Sequence, residues 1–130
     1  MAGNYVFSLT LPANTPETAP VEQEVLLSPG IIEKISIGFP PGCKALAHVQ
    51  IKQNESVVYP SNPDSSYAWD DTIYTFSPIY ALEENLSVLT LVGWNEDSVF
   101  LHEITVIINV IESVPIMMSI QGVLTSFGVL

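Results

Sequence analysis

Few residues in this chain offer covalent or acid–base chemistry, and their settings decide what each can do. Cys43 is the one cysteine among 130 residues, and His48 and His102 are the two imidazoles. A nucleophilic cysteine needs a cation or a helix N-terminus to hold its thiolate. Cys43 instead follows the turn Pro40-Pro41-Gly42, with Lys44 as its one adjacent cation, which predicts an unreactive thiol. His48 and His102 sit within or at the start of apolar runs, where a partly buried imidazole bonded to a neighbour is the expected state. One cysteine and two histidines cannot supply a four-ligand zinc set drawn from Cys and His. Adjacent acids occur at Asp70-Asp71, Glu83-Glu84 and Glu96-Asp97. Such residues serve glycoside hydrolysis when they flank a cleft, but side by side in turn-forming sequence they read as solvated loop residues. A phosphate-binding loop, a dinucleotide-binding glycine pattern and a metalloprotease motif are all missing from the sequence. These tests predict a non-enzymatic protein with no cofactor.

Binding chemistry is better supplied. Tyr59, Tyr67, Trp69, Tyr74, Phe76 and Tyr80 fall within one interval that includes the polar stretch Pro60 to Asp71. Aromatic faces beside carboxylates stack on sugar rings and hydrogen-bond their hydroxyls. Tyr74 and Phe76 share one strand face and are expected in the core or at an interface. That leaves Tyr67, Trp69, Asp70 and Asp71 as the candidate ligand site, with a glycan as its ligand. Asp64, Asp70 and Asp71 are also oxygen donors of the kind calcium takes, but the spaced acids and glycine of a calcium loop are missing, so no metal is expected.

The elements that must position these residues read as strand after strand. Tyr5, Phe7, Leu9 and Leu11 alternate with Val6, Ser8 and Thr10, the period of a half-buried strand. Further strands are expected over Val21 to Leu27, Ile31 to Phe39, Ala45 to Lys52, Ser56 to Tyr59, Thr72 to Phe76, Leu86 to Trp94 and Val99 to Ile111. They are punctuated by Ser28-Pro29-Gly30, Pro40-Pro41-Gly42, Gln53-Asn54-Glu55 and Asn95-Glu96-Asp97. No helical stripe competes with them. The expectation is an all-β protein, an antiparallel β-sandwich of jelly-roll-like type with eight to nine strands, because short strands at turn-punctuated spacing make such sandwiches. Phe7, Ile35, Ile37, Val49, Ile51, Val88, Val106 and Ile108 are expected inward. The run ending Ile104-Thr-Val-Ile-Ile-Asn-Val-Ile111 is too apolar for a bare edge, so it is either a central strand or pairs with another chain.

Composition narrows the partners. The net charge is −11, with three lysines, no arginine and 14 acids, which argues against a phosphate backbone as ligand and so against nucleic acid. Charged residues make up 13% of the chain, against about 25% in ordinary domains. The outer surface is therefore largely neutral, which favours burial against copies or partners. The N-terminus lacks the basic and apolar regions of a signal peptide, so Asn54-Glu-Ser56 and Asn85-Leu-Ser87 are read as chance matches to the glycosylation pattern.

After Glu112 no charged residue appears up to Leu130. Pro115, Gln121, Gly122 and Gly128 dilute this stretch, and no cation flanks it, so a membrane anchor is not expected. The division is a sandwich domain over 1–112 and an apolar arm or added strand over 113–130. Ile116, Met117, Met118, Ile120, Val123, Leu124, Phe127, Val129 and Leu130 are the expected contacts between copies of a homo-oligomer.

Pro12-Ala-Asn-Thr15, Phe39-Pro-Pro-Gly-Cys43, Pro60-Ser-Asn-Pro-Asp64 and Trp69-Asp-Asp71 give the chain, over about residues 4 to 112, an order of turn motifs that resembles small β-rich proteins of tailed viruses of bacteria and archaea. The resemblance implies a sandwich serving as a virion structural part, a head decoration or minor capsid protein. Such a protein is made in the host cytoplasm, resides in the virion and meets other virion proteins. The resemblance carries no active-site residue. The alternative is a lectin-like carbohydrate-binding module using the 60–71 loop.

Overall fold

The computed structural model describes residues 3–84 and 87–112. Nine antiparallel strands and no helix make up the described residues: β1 Gly3–Leu11, β2 Val21–Leu26, β3 Gly30–Phe39, β4 Ala47–Gln53, β5 Ser56–Tyr59, β6 Thr72–Phe76, β7 Tyr80–Leu82, β8 Val88–Asn95 and β9 His102–Ile111. They form two sheets, β1-β9-β3-β6 with β7 also on β3, and β2-β8-β4-β5. The pairing is nested: β1 with β9, β2 with β8, β3 with β6 and β7, β4 with β5. A long hairpin folded over on itself in this way is the winding of a jelly roll, and its one departure from eight strands is the split of a single strand into β6 and β7 around Ser77-Pro78. Proline cannot donate to the ladder, which is why the strand breaks there.

Alternation decides what enters the core. Leu9, Ile35, Ile37, Val106 and Ile108 of the first sheet meet Val49, Ile51, Leu89 and Leu91 of the second, all fully buried. The sheets approach tightly at Gly93, where a Cβ would stand 2.6 Å from Leu11 Cδ2 and 2.9 Å from Leu9 Cδ2.

Several expectations need correction. Val88 is exposed, because Leu89 and Leu91 hold the inward positions of β8 and the period of two sends Val88 outward beside Leu26. Phe7 does face inward and packs against the core, half-buried because β1 lies at a sheet edge. Val99-Phe100-Leu101 is exposed loop rather than strand, and β9 begins at His102. Lys44 and Ala45 both take left-handed φ, 51° and 59°, so β4 begins at Ala47. Tyr80–Leu82 is a strand that alternation over so short a run does not reveal. Of the two readings of the apolar run in β9, the central one holds: β9 lies between β1 and β3.

The registers place the loops unequally. Leu11 lies beside His102, Phe39 beside Thr72 and Ala47 beside Asn95. The long connections 12–20, 40–46, 60–71 and 96–101 therefore gather at one end of the sandwich. The short turns 27–29 and 54–55 lie at the other.

Candidate functional site

The loop 60–71 is less free than its composition suggests. Val49 and Tyr67 exchange both backbone hydrogen bonds, at 2.9 and 3.0 Å, which ties the middle of the loop to the second sheet. This turns Tyr67 inward, only 9% exposed, and burial pushes its phenol up to about 12, with Tyr74 and Tyr59 adding to the shift. Tyr67 is thus a core residue, and its place in the candidate ligand site is corrected. Asp70 Oδ1 accepts the backbone N–H of Gly42 at 2.9 Å and of Lys44 at 3.0 Å. The Lys44 N–H first, then those of Gly42 and Cys43 and the Lys44 charge, hold the Asp70 carboxyl below its usual range. Asp71 is exposed and left-handed, with φ of 48°.

Trp69 keeps 38% of its surface exposed while its edge meets Phe39 and its ring lies 4.7 Å from Tyr74. Tyr74 is itself 36% exposed rather than core, because the edge strand β6 has no neighbour to cover it among the described residues. Behind this pair, Tyr67, Phe76, Tyr59 and Tyr80 continue ring to ring at 5.3 to 5.9 Å and close the side of the sandwich between β5 and β6. The structure thus brings Trp69, Asp70 and Asp71 together at the loop-bearing end and adds Tyr74 to them.

A second cluster lies on the outer face of the second sheet. The His48 ring stacks flat on Trp94, with centroids 5.0 Å apart and planes 6° from parallel. Its Nδ1 lies 2.8 Å from Ser66 Oγ, and its Nε2 is bonded to Glu96 Oε1. Glu17 and Asp64 stand around the same open cleft of about 510 Å³. Hydroxyl, imidazole and carboxylate in this order can pass a proton away from Ser66, and the same bonds pin loop 60–71 onto β4 and the turn after β8. Sequence reasoning missed the cluster. Ser66, His48 and Glu96 are 18 and 48 positions apart, and no local pattern links them.

The turn between β8 and β9 is built around buried polar groups. Asn95, 1% exposed, donates from Nδ2 to the carbonyls of Leu11 (3.1 Å) and Phe100 (2.9 Å). Asp97 Oδ1 accepts from Val99 N and Phe100 N, and its Oδ2 meets His102 Nε2 at 2.9 Å. The Val99 N–H, then His102 and the Phe100 N–H, hold the Asp97 carboxyl low. The frame lifts Val99, Phe100 and Leu101 into solvent at 70%, 65% and 60% exposure. Cys43 is fully buried, and burial, with Asp70 and Asp97 nearby, pushes its thiol up.

Among the described residues no three His, Cys, Asp or Glu side chains are grouped to hold a metal ion, and no helix is long and apolar enough to cross a membrane. The expected inter-subunit residues Ile116 to Leu130 lie outside the described residues. No protein-family model matches the chain, and no curated protein matches it significantly.

Proposed function

We propose that this chain is a non-enzymatic virion structural protein, a head decoration or minor capsid component that assembles in many copies. The observation that carries the reading is the apolar tip Val99-Phe100-Leu101, exposed at the loop-bearing end of a jelly-roll sandwich with the Val99 and Phe100 N–H groups bonded to Asp97. Contiguous apolar residues in water mark a contact surface, and jelly rolls recur in viral capsids and in lectins. Cys43 is buried with its thiol shifted toward the protonated form, so it is not an available nucleophile.

Mass spectrometry of purified virions tests the reading: the chain is expected in many copies per particle. Recovery only as a free monomer outside the particle overturns it. A serine-reactive phosphonate probe tests the non-enzymatic part, with no labelling expected; stoichiometric labelling of Ser66 makes the His48 cluster an active site.

The exposed pair Trp69 and Tyr74 favours carbohydrate recognition as a second reading. A glycan array with the intact chain and Trp69→Ala decides it: binding lost in the variant replaces the virion reading with a lectin-like one.

A further inference from the structure

The sandwich has four edges, and three of them carry features that hinder pairing with another strand. β2 places Glu22 and Glu24 along its length and follows Pro20. β5 has four residues and ends at Pro60, and β6 and β7 have five and three residues separated by Ser77-Pro78. Short strands, prolines and charges are how edges avoid pairing. β1 has none of these. It runs nine residues, Gly3–Leu11, without a proline or a charge, and among the described residues it is paired on one side only, by β9.

We propose that β1 pairs antiparallel with β1 of a second copy, about a twofold axis at Phe7, joining the two first sheets into one. The inference rests on the multi-copy part of the reading above and names one contact between copies. Like chains carrying a net charge of −11 repel one another wherever their acids meet, and β1 is the long edge where two copies can meet without opposing charges. Full overlap of the strand with itself fixes the register. Phe7 then faces Phe7, Tyr5 faces Leu9 and Gly3 faces Leu11 on the core side, while Val6 faces Ser8 and Asn4 faces Thr10 on the outer side.

The side chains suit that register. Val6 is 62% exposed, and across the sheet it continues into Ile107 and Ser36, a row without charge. On the core side Leu9 and Leu11 are fully buried, whereas Tyr5 and Phe7 are half-buried and stack parallel with centroids 6.2 Å apart. Ser28 fixes the Tyr5 hydroxyl, with Oγ at 2.6 Å and the backbone N–H at 3.0 Å. Two preset aromatic rings beside an open edge gain cross-strand partners when a second β1 arrives. The two loop-bearing ends then point in opposite directions, and both stay free.

Disulfide trapping in the full chain tests the register. Directly opposed residues have Cα atoms about 4.5–5.5 Å apart, within disulfide reach, whereas diagonal ones lie at about 7–8 Å, near or beyond its limit. Val6→Cys mixed with Ser8→Cys should therefore form the mixed cross-linked dimer under mild oxidation, several-fold above the homodimer of either variant alone. Buried Cys43 does not compete. Val6→Glu with Ser8→Glu, both on the outer face, should shift the light-scattering mass downward while the far-UV circular dichroism stays that of the folded β-protein, the melting temperature falling only by what the lost dimer contributed. An oligomer that gives no 6-to-8 cross-link overturns the β1 contact and leaves the multi-copy reading standing. A monomer at every concentration also overturns the β1 contact, whereas the multi-copy reading falls only if purified virions lack the chain.

Discussion

Replacing Gly93 by alanine measures how firmly the two sheets are locked together. Gly93 lies between Val21 and Val49 in the second sheet and faces the leucines of β1. A Cβ there would lie 2.6 Å from Leu11 Cδ2, 2.9 Å from Leu9 Cδ2 and 3.1 Å from the His48 carbonyl oxygen, all inside the 3.4 Å at which ordinary contact begins. Both leucines are fully buried, so relief of the clash requires their packed neighbours to shift as well. Overpacking of this kind costs about 1–3 kcal/mol. Leu11→Ala alone leaves a cavity and costs about 2–5 kcal/mol. In the double variant the new methyl enters the space that the leucine vacates, so the loss should fall short of the sum by about 1–3 kcal/mol, within the range for contacting residues. A domain stable by about 10 kcal/mol, the middle of the usual range, keeps each single variant folded. Urea unfolding followed by tryptophan fluorescence reads all four proteins, with the slope expected to stay constant. Additive losses, within about 0.5 kcal/mol, would refute the close approach of β1 and β8, as would a neutral Gly93→Ala.

Three further outcomes follow from the loop chemistry. Asp70 and Asp97 have folded pKa values below the ordinary 3.8, so each stabilises the fold above that value and loses its contribution as pH falls through its own lower one; calorimetry should show the melting temperature dropping in this acid range, less steeply in Asp70→Asn with Asp97→Asn. The Cys43 thiol should react with an aromatic disulfide reagent far more slowly in the folded protein than in urea, the rate rising along the unfolding curve. Trp69→Phe should remove the acrylamide-quenchable part of the fluorescence and leave the protected emission of Trp94, which is 6% exposed.

The sequence made the fold legible wherever alternation ran long. Leu9, Leu11, Ile35, Ile37, Val49, Ile51, Val106 and Ile108 sit where a period of two puts them. Where two adjacent residues were both apolar, as at Val88 and Leu89, composition left the parity open and neighbouring strands settled it. The site was less legible for a physical reason. Asp70 and Asp97 look like solvated acids in sequence, yet each accepts backbone N–H groups of its loops. Tyr67 looks like a loop aromatic, yet a two-bond bridge to Val49 turns it into the core. Such contacts join positions far apart or depend on turn geometry, and no local pattern encodes them.

The same carboxylates set what docking at the loop-bearing end, as proposed above, would cost. An apolar tip on a mobile loop must be ordered when it binds, and each immobilised side chain costs about 0.5–1.5 kcal/mol. Val99 and Phe100 have their backbone N–H groups bonded to Asp97, which His102 and Asn95 hold in turn, so the order is present before any partner arrives. Asp70 does the same for the neighbouring Gly42-to-Lys44 turn, and its own chain places Trp69 beside it. The exposed apolar surface is therefore presented on a frame of hydrogen bonds made by Asp97 and the buried Asn95 and His102. Burying it against a neighbour takes apolar groups out of water at small ordering cost. In the multi-copy role proposed above, that small ordering cost would recur at each identical contact.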